Sequence, residues 1–148
     1  MNKLSVYLDN VEVSSELRTE KTAELASNFA MIGPLRESLL IRQQKFKELP
    51  GLVADGRDMG TVVFKDAPFK VFLTANVEER AKRRLKQLQD KGIAGNISKT
   101  LDEVRKRDER DASRKHSPLK PSKDALIIDT SDLTINEVVT RVMAIVKV

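Results

Sequence analysis

Short apolar runs alternate with longer amphipathic segments along the chain, and this alternation is typical of strands joined by helices. Phe69 to Ala75 and Ala125 to Asp129 have the length and content of buried strands, and Leu52 to Ala54 is a shorter run that precedes Asp-Gly. The alternation predicts an α/β fold with a parallel sheet. Only about three core strands are recognisable, where a doubly wound sheet has about five. A sheet without its neighbouring strands exposes its edges, so we expect the chain either to be part of a larger fold or to pair with another chain.

Five helices are predicted from apolar periodicity and from the residues at their ends. They are expected at about Thr19 to Ala30, Pro34 to Lys47, Val77 to Lys91, Thr100 to Lys115 and from Thr134 towards the C-terminus. Gly33 ends the first helix, and Pro34 suits the first turn of the second. Thr134 and Glu137 have the spacing of a capping box. The last helix carries an apolar face made of Ile135, Val138, Val139, Val142 and Val146.

Three connecting segments complete the pattern. Leu4 to Val13 alternates loosely around Asp9-Asn10, which predicts a hairpin or the end of a small sheet. Thr61 to Phe64 fits either a turn of helix or a short strand, and the pattern does not decide between them. Gly92 to Asn96 is a flexible break between two charged helices.

Composition narrows the class of protein. The chain has 148 residues, of which 40% are hydrophobic and 33% charged, as in a globular protein with one core. It has no cysteine and one histidine, which argues against disulfides, thiolate metal sites and a Ser-His-Asp triad. Without an apolar signal segment, the chain is expected to be cytoplasmic. The net charge of +5 suits an anionic partner but does not separate nucleic acid from nucleotides.

Candidate chemistry begins where the predicted strand Leu52 to Ala54 ends, because ligands of open α/β sheets bind beyond the carboxyl ends of the strands. Asp55 could orient magnesium through water, Gly56 allows a sharp turn, and Arg57 can fork onto a phosphate. Asp58 can accept hydrogen bonds from a sugar or a base. Taken alone, these four residues fit equally well a plain strand-to-loop turn with a local Arg–Asp pair.

Two groups of basic residues lie on the charged helices. Arg107, Arg110 and Arg114 fall on one side of the fourth predicted helix, together with Asp111, and would repel one another unless phosphates lie between them. The third predicted helix carries Arg80, Lys82, Arg83, Arg84 and Lys86. Two charged helices joined by a glycine-containing loop predict a mobile lid over a transferring phosphoryl group. Solvated helix faces and a nucleic-acid-binding hairpin are the alternatives.

In one register, these segments resemble the bacterial cytidylate kinases over essentially the whole chain. Gly51 to Phe64 resembles the signature stretch of that family, Arg107 to Arg114 its R-D-x-R-D-x-x-R segment, and Asp124 to Thr130 its last core strand. Upstream, the resemblance continues through Glu16 to Thr19, Ala26-Ser27 and Pro34 to Arg36. The resemblance implies transfer of the γ-phosphoryl group of ATP to CMP or dCMP with magnesium, in a monomeric enzyme without membrane or nucleic-acid partners.

The resemblance also implies roles for individual residues. Residues expected to hold CMP are Ser27, Arg36, Asp58, Arg107 and Asp111. Among them, Ser27 and Asp58 match positions that recognise the base or sugar, and Asp111 matches the carboxylate that grips the sugar. Arg36, Arg57 and Arg107 match positions around the acceptor phosphate or the phosphates in transfer. The catalytic set is expected to be Asp55, Arg57, Arg107 and Arg114, in which Asp55 acts on magnesium through water. Arg83, Arg84 and Arg114 would face the donor phosphates.

One family feature does not occur in the 148 residues, namely the phosphate loop G-x-x-x-x-G-K-[ST]. We therefore expect an incomplete P-loop-kinase-like parallel sheet flanked by helices, with part of the nucleotide-monophosphate-binding insert and a helical lid. The expected organisation is insert at 1–33, core at 34–76, lid at 77–115, and core strand with C-terminal helix at 116–148. The chain alone is expected to be inactive and to self-associate through sheet edges. The competing interpretations are a basic nucleic-acid-binding module, disfavoured by 4% aromatic content, and a non-catalytic kinase remnant.

Overall fold

The computed structural model describes residues 5–90, 92–113 and 119–146. The chain divides into two compact units, Met1–Gly51 and Leu52–Val148, and each has its own internal packing. The predicted ends of two helices, at Lys91 and Lys115, lie outside the described residues.

The first unit begins with the predicted hairpin. Strands β1 (Tyr7–Leu8) and β2 (Val11–Glu12) pair antiparallel, with Tyr7 opposite Glu12. Asp9 and Asn10 form the turn with φ of +48° and +65°, the left-handed conformation that these two residue types tolerate best after glycine. The prediction of a hairpin around Asp9-Asn10 is therefore confirmed.

Two helices complete the first unit. Helix α1 (Glu20–Phe29) follows a short 3₁₀ turn at Glu16–Arg18, and the Thr19 side chain caps it by accepting from the Thr22 N–H at 3.2 Å. Helix α2 (Gly33–Gln44) has Pro34 in its first turn, where the missing N–H needs no partner. Both helices are confirmed, and α2 ends three residues before the predicted Lys47.

The second unit is built on a parallel pair of strands, β3 (Val71–Thr74) and β4 (Leu126–Asp129), in register from Val71 opposite Leu126 to Thr74 opposite Asp129. Helices α3 (Val77–Gln89) and α4 (Ile97–Ala112) connect the two strands, and α5 (Ile135–Val146) follows β4. A mixed α/β fold with a small parallel sheet is thus confirmed, and both charged helices and their break are present.

Helices α3 and α4 pack against each other as a hairpin. Ala81 of α3 is fully buried and Thr100 of α4 is 2% exposed. Gly95, in the loop between the helices, lies so close to α3 that a Cβ atom there would be 2.5 Å from Leu85 Cδ1. The glycine at this position therefore allows the close approach of the loop to the helix.

The prediction of a buried strand at Leu52 to Ala54 is wrong in this structure. These residues form no strand, Leu52 is 43% exposed and Val53 is fully exposed. An apolar run becomes a strand only when a neighbouring backbone satisfies its N–H and C=O groups, and the described parallel sheet contains β3 and β4 alone. The undecided segment after it is helical, as a π-helical turn at Met59–Val63.

Much of the apolar surface predicted to be buried is open. In β4, Ile128 is 4% exposed, but Leu126 and Ile127 are 48% and 57% exposed. No residue of α5 is buried, and Ile135 is 82% exposed. The strand and the helix are confirmed as elements, whereas the expected burial of the whole strand is not. The expectation of exposed apolar surface at the sheet agrees with these values.

The capping box of α5 is confirmed. The Thr134 N–H and Oγ1 both donate to Glu137 Oε2, at 2.8 and 2.7 Å, and the Glu137 N–H donates back to Thr134 Oγ1 at 3.3 Å. The hydrogen bonds from the Thr134 side chain and backbone lower the pKa of Glu137. In the loop before β4, the Lys70 ammonium group donates to Asp124 Oδ2 at 2.6 Å and lowers the pKa of that carboxyl.

These contacts predict a loss of stability in acid. The pKa of the Asp124 carboxyl is lower in the folded chain than its ordinary value near 4, so the unfolded chain binds more protons as the pH falls through that range. The stabilisation is complete above the unfolded pKa and is lost as the pH falls through the folded one. We expect the urea midpoint to be constant from about pH 7 to 5 and to fall below about pH 4.5.

Single substitutions test the origin of this acid dependence. Asp124→Asn is expected to make the fall shallower, because the Lys70 contact then no longer depends on ionisation. Asp66→Asn, at an exposed aspartate in the turn before β3, is the matched control and is expected to leave the pH profile as in the parent chain. Identical profiles for the parent chain and Asp124→Asn would contradict the assignment.

Candidate functional site

The site predicted after Ala54 is joined to the far end of α4 by an ion pair. Arg57 Nη1 donates to Asp111 Oδ2, and the two residues are 54 positions apart in the chain. The Asp111 side chain is 1% exposed and that of Arg57 is 31% exposed. Arg57 therefore has a carboxylate partner in the last turn of α4, outside the turn in which it lies.

Arg107 approaches the same carboxylate from one turn earlier in α4, with 4.0 Å between its Nε and Asp111 Oδ2. The Arg107 side chain is 54% exposed. Two guanidinium groups thus lie around one buried carboxylate, and the three charges sum to one positive charge. A half-exposed guanidinium beside such a pair is suited to binding an anion, because phosphate oxygens accept forked hydrogen bonds from arginine.

The two acids of the turn have different surroundings. Asp58 is half-buried, and its backbone carbonyl accepts from the N–H groups of Val62 and Val63 at 2.8 and 3.2 Å, which holds the π-helical turn. Asp55 is exposed. Within the described ranges, no three acidic or histidine side chains come together as a metal site. The contact of Asp55 with magnesium through water stays a prediction.

The arginines of α3 make contacts at the base of the α3–α4 hairpin. Arg80 forks onto Asp108 of α4, with Nη1 to Oδ1 at 2.7 Å and Nη2 to Oδ2 at 2.6 Å. Its Nε donates to the Ala75 carbonyl at 3.1 Å. Arg83 donates to Thr130, and Arg84 Nη1 donates to Gln87 Oε1 at 3.4 Å. Arg80 and Arg83 therefore join α3 to other elements of the second unit.

The remaining predicted residues lie elsewhere. Ser27 is half-buried on α1, and Arg36 on α2 donates from Nη1 to the Ala30 carbonyl at 3.3 Å. Both belong to the first unit. Arg110 lines an open cavity of about 590 Å³ with Lys106, Glu109 and Ser113. Arg114 lies outside the described residues.

Three residues of this region were not predicted as partners. Arg80 is predicted only as one charge of the third helix, and neither Asp108 nor Thr130 is predicted to contact that helix. Their contacts join residues that are 28 and 47 positions apart. No periodicity within one helix indicates such partners, because they depend on how α3 packs against α4 and β4.

Comparison with known proteins identifies the family. A family model described as cytidylate kinase matches residues 1–148. The chain belongs to the cytidylate kinase family. The cytidylate kinase of Pectobacterium carotovorum subsp. carotovorum is 52% identical over 142 residues, which are 96% of this chain and 63% of that protein. Those of Photorhabdus laumondii subsp. laumondii and Aeromonas salmonicida are 51% identical over 145 and 142 residues, covering 98% and 96% of this chain and 64% and 62% of the relatives.

Family membership confirms the resemblance on which the residue roles depend. Cytidylate kinases are nucleoside monophosphate kinases and therefore transferases that bind nucleotides. The chain spans a little under two thirds of the length of these relatives. Across the described part of the chain, no helix has the length and apolar content needed to cross a membrane. The cytoplasmic location stays a prediction.

Proposed function

We propose that the chain is the acceptor-binding part of a kinase that transfers the γ-phosphoryl group of ATP to CMP or dCMP. The observation that carries this proposal is the group of Arg57 and Arg107 around the buried carboxylate of Asp111. This group lies where the segment after Ala54 meets α4. Fixed guanidinium groups at such a point suit phosphoryl transfer, in which catalysis depends mainly on positioning and on cationic stabilisation.

Within this proposal, the resemblance assigns Arg36, Arg57 and Arg107 to the acceptor phosphate. Ser27 and Asp58 recognise the base or the sugar. Asp111 has two proposed roles, since the resemblance assigns it to the sugar and the observed contacts make it the carboxylate that orients Arg57 and Arg107. A carboxylate that holds two guanidinium groups reduces the reorganisation needed when a phosphate arrives.

The donor side of the site involves the α3–α4 hairpin. We propose that the hairpin is a lid and that Arg84 and Arg114 face the ATP phosphates. ATP would bring magnesium, which would supply positive charge to the phosphates, and Asp55 would contact that ion through water.

The 148 residues contain no G-x-x-x-x-G-K-[ST] sequence. That loop cradles the donor phosphates with backbone N–H groups and a lysine. We therefore propose that the 148-residue polypeptide, tested by itself, has little or no kinase turnover. The division into insert (1–33), core (34–76), lid (77–115) and final core segment (116–148) remains a proposal as well.

Self-association is a further part of the proposal. Leu126 and Ile127 of β4 are about half exposed, and Val53 is fully exposed. Unpaired strand edges with apolar side chains favour pairing with another chain. A concentration-dependent increase of mass by light scattering, at tens of micromolar chain, would support pairing, and a constant monomer mass would contradict it.

Calorimetric titration of nucleotides into the 148-residue chain tests the proposed acceptor site. We expect CMP to bind and UMP and AMP to bind at least about tenfold more weakly, because a hydrogen-bonding pocket rejects ligands that leave its polar groups unpaired. In a coupled ADP-release assay, we expect turnover close to the blank. Equal affinity for the three nucleotides would contradict a cytosine site, and CMP-dependent turnover at normal kinase rates would contradict the proposed inactivity.

Binding measurements on the same protein preparation distinguish a nucleic-acid-binding module from the proposed acceptor site. A basic binding module would bind random oligonucleotides more tightly than CMP, with an affinity that falls steeply with salt. A non-catalytic remnant would bind neither CMP nor ATP selectively. The acceptor-site proposal requires CMP to remain the preferred ligand at about 150 mM salt, where nonspecific phosphate contacts are weakened.

A further inference from the structure

We infer that Arg83 is a positioning residue that fixes the base of the α3–α4 hairpin to the sheet through Thr130, and this inference rests on the proposed kinase function of the hairpin. All three guanidinium nitrogen atoms of Arg83 donate to protein oxygens. Nε donates to Glu79 Oε1 at 3.2 Å, Nη1 to Thr130 Oγ1 at 3.1 Å and Nη2 to the Thr130 carbonyl at 2.6 Å. The guanidinium therefore spans from its own helix to the residue that follows β4.

Thr130, which Arg83 contacts, is itself hydrogen-bonded to β3. It is 5% exposed. Its N–H and its Oγ1 both donate to the Thr74 carbonyl at the end of β3, at 2.8 and 2.9 Å. The Thr130 hydroxyl thus donates to β3 and accepts from Arg83, which satisfies both functions of a buried hydroxyl group. Displacement of Arg83 would affect the carboxyl ends of both parallel strands.

A second set of contacts ties the same end of the hairpin. The Arg80 fork onto Asp108 joins α3 to α4, and the Asn76 N–H donates to Ser131 Oγ at 2.8 Å, which joins the start of α3 to the turn after β4. The first two turns of α3 are therefore held at several points. Motion of the proposed lid would begin beyond Arg83, in the part of α3 that carries Arg84.

This assignment changes the role of one predicted phosphate ligand. The resemblance groups Arg83 with Arg84 as arginines that face the donor phosphates. The contacts divide that pair, since Arg83 is engaged with Thr130 and Glu79. In the inferred role, Arg83 influences the donor side of the site by fixing the helix on which Arg84 lies. It acts through Thr130 and without binding the phosphates itself.

Amide hydrogen exchange on the 148-residue chain tests the contact between Arg83 and Thr130. We expect Arg83→Lys and Thr130→Val each to speed exchange of the Thr130 and Asn76 amides about three- to tenfold, as expected for loss of a hydrogen bond from a fixed arginine. The double variant is expected to speed exchange by less than the product of the two single effects, because both changes remove the hydrogen bond between Arg83 Nη1 and Thr130 Oγ1. Thr130→Ser, which keeps the hydroxyl, is expected to restore exchange to within about twofold of the parent chain.

Lys82→Ala, one position before Arg83, removes a positive charge at an exposed side chain and is the matched control. It is expected to leave both amides unchanged. Additive effects of Arg83→Lys and Thr130→Val, or unchanged exchange in both, would overturn the inference. Exchange does not depend on nucleotide binding, so this result stands separately from the proposed function.

Titration with inorganic tripolyphosphate separates positioning from direct phosphate binding. If Arg83 positions the hairpin, Thr130→Val and Arg83→Lys both weaken tripolyphosphate binding, and the double variant weakens it by less than the product of the two factors. If Arg83 binds the phosphates directly, Arg83→Lys weakens binding while Thr130→Val leaves it unchanged, which would overturn the inference. No tripolyphosphate binding by the parent chain would count against the proposed donor site, and the exchange results would then decide the role of Arg83 alone.

Discussion

Replacement of Arg57 with methionine is expected to lower the free energy of unfolding of the second unit by about 3 kcal/mol, because it removes the guanidinium from a buried carboxylate. Asp111 is 1% exposed, so water cannot take the place of the lost donor without opening the end of α4. Urea denaturation followed by circular dichroism measures this loss. Arg57→Lys keeps the charge but not the planar fork and should cost less, about 1 kcal/mol.

A matched control for this substitution is Arg105→Met. Arg105 lies on α4 with a 53% exposed side chain, and its Nη2 is 3.8 Å from Glu78 Oε1. Pairs of this exposed kind contribute about 0.5 kcal/mol or less. A loss of stability in Arg57→Met no larger than that in Arg105→Met would mean that the buried carboxylate does not depend on Arg57.

The local elements of this chain were predictable because their signals are local. Thr19 at the start of α1, Pro34 in the first turn of α2 and the Thr134–Glu137 capping box each satisfy backbone groups within a few residues. The Asp9-Asn10 turn needs only two residues that tolerate positive φ. Such signals do not depend on the rest of the fold.

Strand burial could not be predicted in the same way. Leu52 to Ala54 has the composition of a core strand, but a strand requires a neighbouring backbone, and the described parallel sheet contains β3 and β4 alone. The same reason leaves Leu126 and Ile127 half exposed although their strand forms. Apolar composition indicates what a segment would do beside a partner, and it does not indicate whether the partner is present.

The residues of the candidate site were predicted, but the contacts between them were not. The residue types at Arg57, Arg107 and Asp111 were predicted as site residues from their place in the sequence pattern. Their mutual contacts were not, because the two segments are about 50 residues apart and meet only through packing of α4. The partnership of Arg83 with Thr130 has no local signal either, which is why sequence alone grouped Arg83 with Arg84.

Replacement of Arg107 with methionine is expected to weaken CMP binding about 10- to 100-fold while changing stability little, because a charge-assisted contact to a phosphate is lost from a half-exposed side chain. This result would distinguish Arg107, which binds the phosphate of CMP, from Arg57, which also stabilises the fold. Calorimetric titration of CMP and urea denaturation of the same preparation measure the two quantities.

Arg105→Met serves again as the control for Arg107→Met, since the two arginines lie on the same helix with side chains that are 53% and 54% exposed. Residues two apart in a helix point in different directions, about 200° apart, so Arg105 does not share the face of Asp111. We expect CMP affinity within about twofold of the parent chain in this control, because only nonspecific charge is removed. Equal weakening in both variants would show that net charge, and not the group of arginines around Asp111, governs binding. That outcome would remove the main support for the proposed acceptor site.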